Sequence, residues 1–204
     1  MLIPIFAALC QPAIAASNFL ALETGGQRTD DPAWNEVSDS DSWRTLGVSG
    51  GYALLPYLDV TASFHRKALG SEHGFESGAP GSDQGFVAAW SGNQYGLGVA
   101  LEPDLTHWLR PYLGARGTLT QSTLRVDDDT DSEENPNQLL DRAIAPGFTT
   151  TLGARLALGL PDWTIVPALH LELGYGWTTE MDYGELGDLN LRGFAMRGGV
   201  GVMF

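Results

Sequence analysis

The chain has 204 residues, 26 of them glycine, about 13% against a usual ~7%, and 18% charged residues against a usual ~25%. Eleven Lys and Arg face 25 Asp and Glu, and the formal net charge of −14 excludes the basic surface that nucleic-acid phosphates require. A hydrophobic fraction of 43% excludes a disordered tail, and a mean hydropathy of −0.08 without a long apolar run excludes a transmembrane helix. A β-barrel with one apolar and one polar face averages to such values and stays open.

Residues 1–16 read as a secretory signal peptide. Leu2 to Leu9 is apolar, Pro12 breaks a helix, and Ala13-Ile14-Ala15 supplies small residues for cleavage. The segment departs from the usual pattern in having no Lys or Arg before its apolar run. Cys10 is the one cysteine and lies inside it, so the expected mature chain, 17–204, carries neither a disulfide nor a thiol.

Downstream the apolar pattern has period two, which places alternate residues on opposite faces of a strand. It predicts strands near 18–26, 43–55, 58–68, 92–102, 109–126, 143–158, 163–181 and 189–204, and Gly85 to Trp90 offers an extension of the fourth. In the seventh, Trp163, Ile165, Leu169, Leu171, Leu173 and Trp177 share one face, while Ala168, His170, Glu172 and Gly174 share the other. In the eighth, Phe194, Met196, Val200, Val202 and Phe204 oppose Gly193, Ala195, Arg197, Gly199 and Gly201.

Connections alternate between short turns (55–57, 103–108, 159–162) and longer, more polar loops (27–42, 69–91, 127–142, 182–188). A membrane band ~25 Å tall, crossed at ~45°, needs about 11 residues per strand. Short turns at one end and long loops at the other suit an all-β, eight-stranded antiparallel transmembrane up-and-down barrel filling residues 17–204.

The polar face separates this reading from a soluble barrel. It is built of small residues, such as Ala143, Ala145, Gly147, Thr149, Thr151 and Gly153, which suit a narrow lumen better than a solvated surface. Aromatic residues near predicted strand ends (Trp43, Tyr57, Trp108, Tyr112, Trp163, Tyr175 and Trp177) suit interfacial girdles. With the eight-strand pattern and the ending Val200-Gly201-Val202-Met203-Phe204, the chain resembles the small eight-stranded outer-membrane proteins of Gram-negative bacteria, of the OmpA-like, OmpW-like and opacity-protein type. The resemblance implies an outer-membrane location and lipopolysaccharide as a neighbour. It also implies a barrel-assembly signal at Val200, Val202 and Phe204, read by the assembly machinery during biogenesis.

The lumen face is expected to carry Glu23, Asp59, His65, Glu102, Arg116, Arg155, His170, Glu172 and Arg197. Charges in a narrow interior must be paired, so a network that plugs the barrel is the expectation, and a gated passage is the alternative. The resemblance also admits lipid A-modifying enzymes, but the Ser, His and Glu set that lipid A deacylases of this kind carry on the lipid-facing surface is missing from the predicted outward positions. No catalytic residue and no cofactor is therefore expected. The loops hold formal charges of −4, −3, −6 and −3, which leaves +2 for the rest of the chain. Within them Asp127, Asp129, Asp131 and Glu133 alternate like the opening of a calcium loop. The glycine at the sixth position and the glutamate at the twelfth, where Gln138 stands, are missing, so no metal site is assigned. The leading expectation is a non-enzymatic envelope protein that is structural or acts through its acidic loops. A narrow channel or a passage for small hydrophobic compounds, OmpW-like, is the alternative.

Overall fold

Alternating residues on eight long strands close into a barrel in the computed structural model. It describes residues 18–32, 34, 42–69, 72–77, 83–103, 106, 108–128, 138–159, 163–184 and 188–204, with backbone alone for 72–77, 83–87, 127–128 and 138–139. The expected signal peptide lies outside the described residues, as do Asp129, Asp131 and Glu133. The strands are β1 (Phe19–Thr29), β2 (Ser42–Leu55), β3 (Leu58–Ala68), β4 (Glu72–Ser77), β5 (Asp83–Leu101), β6 (Leu109–Asp128), β7 (Gln138–Ala157), β8 (Val166–Thr178), β9 (Met181–Asp182), β10 (Asp188–Leu189) and β11 (Gly193–Met203).

Eight of them form the wall in the order β1-β2-β3-β5-β6-β7-β8-β11, every neighbour antiparallel. The wall closes where β1 meets β11, from Phe19 opposite Met203 to Thr29 opposite Gly193. Closure leaves no edge strand, the condition for a sheet in hydrocarbon. β4 extends only the loop end of β5, and β9 with β10 forms a separate two-stranded ladder.

The two faces are the inverse of a soluble protein's. Leu22, Leu46, Leu97, Ile144, Leu152 and Met196 are among the large apolar residues exposed on the outside. Glu23, His65, Arg116, Arg155, Glu172 and Arg197 are all buried inside. Register is thereby fixed, because a slip of one residue would exchange these sets.

Several strands run further than the sequence predicts. β5 begins at Asp83 rather than 92 and β7 at Gln138 rather than 143, so parts of the predicted loops 69–91 and 127–142 are paired backbone. Phe86 lies opposite Asp128, and Asp127 opposite Gln138. Beyond the apolar band both faces of a strand tolerate polar residues, so the alternation fades while the ladder continues. β6 and β7, at 20 residues each, are about twice the length a membrane crossing needs.

Two of the predicted girdle aromatics are not in a girdle. Trp43 and Tyr112 are buried inside the barrel, 2% and 1% exposed. Trp43 is in phase with Thr45 and Ser49, and Tyr112 with Arg116, so strand parity overrides position near a strand end. Tyr57, Trp108, Trp163 and Trp177 do project outward.

Gly193 opens β11 at φ +151°, and a Cβ there would collide with the Arg28 carbonyl of β1. This glycine therefore permits the loop-end step of barrel closure.

Candidate functional site

The lumen is built in tiers, from the turn end to the loop end. At the turn end Arg155 of β7 reaches across to β3, with Nη1 donating to Asp59 Oδ2 at 3.1 Å, and the same nitrogen also bonds Glu102. Arg110 Nη1 donates to the other oxygen of Glu102 at 3.5 Å. Phe19 covers the Arg155 guanidinium, whose carbon lies 3.4 Å from the ring centroid, and Tyr112 flanks it at 4.7 Å. A cavity of about 10 Å³ beside Phe19, Arg155 and His170 is room for a single water at most.

The middle tier joins two carboxylates. Glu172 accepts a fork from Arg116, Nη2 to Oε2 at 2.7 Å and Nη1 to Oε1 at 3.2 Å. It also accepts Arg197 Nη1 at 2.8 Å and the Tyr112 hydroxyl at 2.8 Å. Glu23 faces His65 Nε2 at 2.8 Å and His170 Nδ1 at 2.6 Å, and it accepts the Ser49 hydroxyl. The Tyr112 hydroxyl also contacts His170 Nε2, so the two carboxylates belong to one continuous network. Such forked, charge-assisted bonds fix side-chain positions as well as charge.

Above it the pairing thins. Lys67 Nζ donates to Gln27 Oε1 at 2.7 Å, and Gln94 Nε2 donates to Thr120 Oγ1 at 3.3 Å.

The loop end is apolar. Trp34, Trp43 and Trp90 meet with ring centroids 4.9, 5.6 and 5.9 Å apart, over Leu69, Leu124, Met181, Leu189 and Leu191. Two of the three indole N–H groups are tied down: Trp34 Nε1 donates to the Asn190 carbonyl at 2.7 Å, and Trp90 Nε1 to the Tyr183 hydroxyl at 2.9 Å, whereas Trp43 Nε1 is buried without a hydrogen bond. Tyr183 in turn bonds Ser122 Oγ at 2.5 Å. The segment carrying Leu191 is pinned across the mouth by its own N–H to Thr178 Oγ1, at 2.9 Å.

All nine residues expected on the lumen face lie there, buried. Ser49, Lys67, Arg110 and Tyr112 were missed as members, although all but Ser49, whose strand carries no assigned residue, have the parity of a residue already assigned. Lys67 stands two positions from His65, and Tyr112 four from Arg116. The tryptophan cluster was missed altogether. Trp43 and Trp90 carry lumen parity, but Trp34 falls in the predicted loop 27–42, which has no alternation to read. Val200 and Phe204 point outward, 60% and 54% exposed, with Val202 partly so. Among the described residues no group of His, Cys, Asp or Glu is arranged to hold a metal ion.

The result is a closed eight-stranded antiparallel barrel with an apolar outer face and a filled, largely polar lumen. Solved structures of outer-membrane proteins are similar to the chain over nearly its whole length. Ail, the attachment invasion locus protein of Yersinia pestis, is 11% identical with a TM-score of 0.49, covering 92% of this chain and 97% of its own. Neisserial surface protein A, NspA, is 16% identical with a TM-score of 0.43, covering 93% and 96%. The outer membrane protein OprG from Pseudomonas aeruginosa is 12% identical with a TM-score of 0.49, also covering 93% and 96%. No family model and no curated protein sequence matches the chain. At these identities the residue roles must come from this chain's own geometry.

Proposed function

We propose that the protein is a non-conducting barrel of the outer membrane, a structural component of the envelope that meets the outside through its loops. The observation that carries this reading is the filling of the lumen. An ion pair reaches across it from β7 to β3, Glu172 of β8 pairs with Arg116 of β6 and with Arg197 of the adjacent β11, and the tryptophan cluster fills its loop end. Moving an ion along this path means breaking buried pairs, each costing several kcal/mol. The apolar outer face and the two levels of outward aromatic residues support membrane insertion, with the short turns in the periplasm. Export through the 1–16 segment and recognition of Val200, Val202 and Phe204 by the assembly machinery belong to the same proposal.

Planar-bilayer recording of the refolded protein tests it. Insertion without stepwise conductance is the expected result. Steady openings that change in a Glu172→Ala variant would replace the plugged barrel with the channel. The proposal includes no catalytic role, and unaltered lipid A by mass spectrometry after incubation with the protein is the outcome consistent with it.

A further inference from the structure

The basic residues divide cleanly. Of eleven, Lys67, Arg110, Arg116, Arg155 and Arg197 are buried in the lumen, and the other six, all arginine, are exposed in the loop-side half. Four of those six stand on consecutive segments of the wall: Arg192 at the entry to β11, Arg28 on β1, Arg44 on β2 and Arg66 on β3.

The register places them in one arc. Arg28 is opposite Phe194, two residues from Arg192; Gly26 is opposite Arg44, two residues from Arg28; and Leu46 is opposite Arg66, two residues from Arg44. Each arginine is thus the diagonal neighbour of the next on the same outward face, a separation of roughly 7–8 Å. Like charges so placed repel one another, so an anion that bridges neighbouring guanidinium groups relieves that repulsion, as the exposed Asp30 does beside Arg192. Immediately below the arc the outer face turns apolar and aromatic. Phe194 packs on Tyr175 at 4.8 Å, Phe64 on Tyr95 at 5.3 Å, and Leu46 is 66% exposed. Arg192 Nε donates to the Tyr175 hydroxyl at 2.9 Å, which ties the arc to that aromatic level.

A row of guanidinium groups directly above an apolar band lies at the level of lipid headgroups. Guanidinium forks match phosphate oxygens in pairs. We infer that the arc of Arg28, Arg44, Arg66 and Arg192 binds the phosphates of the glycolipid that forms the outer leaflet, lipopolysaccharide. The arc serves as an annular lipid site on one side of the barrel. The inference rests on the outer-membrane reading above.

Binding of lipid A with both phosphates, and of chemically dephosphorylated lipid A, is measured with the refolded full chain in detergent. The comparison uses wild type, the variant Arg28→Gln/Arg44→Gln/Arg66→Gln/Arg192→Gln, and the control Arg125→Gln/Arg142→Gln. The expected result is at least a tenfold weaker affinity for the fourfold variant, little change for the control, and a loss of similar size when wild type meets dephosphorylated lipid A. Wild-type affinity should also fall with added salt. Equal binding of the two lipids by wild type overturns the inference without recourse to any variant. Heat-modifiable gel migration and outer-membrane fractionation, run on the same protein, separate the two failures. A folded outer-membrane barrel indifferent to phosphate defeats the lipid site alone, whereas a protein that fractionates as soluble defeats both.

Discussion

Glu172 takes hydrogen bonds from Arg116, Arg197 and Tyr112, so one buried carboxylate is shared by two guanidinium groups. Glu172→Gln keeps the shape and removes the charge, leaving two buried cations facing an amide that is itself half donor. Breaking a buried ion pair by removing one partner costs about 3–5 kcal/mol. The variant should unfold at lower urea concentration and convert to its heat-modified gel form at lower temperature. The partner variant Arg116→Met sharpens the point. Adding it to Glu172→Gln should recover part of the loss, because one of the two orphaned cations is gone. A strictly additive pair would show that Arg116 is held by something other than Glu172. At this scale the members of the network were legible in sequence wherever strand parity was followed. Their partners were not. Glu23 and Glu172 have the same parity and burial, yet one collects histidines and the other arginines. That assignment depends on the stagger between strands, which alternation does not encode.

At the scale of the element, alternation located all eight wall strands but not their loop-side ends. β5 and β7 continue beyond the apolar band because their backbone groups pair with β6, as Val87 with Asp127 and Leu139 with Val126. Membrane patterning reports on the lipid-facing part of a strand and is silent on the rest. The same bias placed Trp43 and Tyr112 in a girdle, where their type belongs, against their phase. The β1–β11 seam offers a test of an element boundary. Gly193 combines positive φ with the closest approach of the Arg28 carbonyl, so Gly193→Val meets a conformational penalty and a backbone collision together. The lower seam, from Phe19 with Met203 to Gly25 with Arg197, is untouched by it. The expected outcome is a barrel that still folds but frays at the loop end of the seam. It would be read as faster hydrogen exchange at residues 26–29 and 193–196 than at 19–24. Uniform exchange along β1 would show that Gly193 has no special part in closure.

For the whole molecule, the lumen is closed by two barriers in series, built by different means. The tryptophan cluster closes the loop end by close packing of apolar rings, and the carboxylate network closes the middle and turn end by paired charge. Barriers in series do not substitute for one another in a measurement: the path stays shut while either is intact. Trp34→Ala/Trp43→Ala/Trp90→Ala removes the upper barrier and leaves Arg116, Arg197 and Glu172 in place, so this variant should insert and remain silent in planar bilayers. Glu172→Ala/Arg116→Ala/Arg197→Ala removes the middle pairs and leaves the tryptophans, and it too should remain silent. Conductance is expected only when the two sets are combined with Arg155→Ala, which opens the turn-end tier as well. Folding of each variant is checked by heat-modifiable migration before recording, because large-to-small changes of buried aromatic residues each cost about 3–5 kcal/mol. Openings in the tryptophan variant alone would mean that the charge network leaves a conducting path around it. The ion pairs would then be a device for strand register rather than a seal.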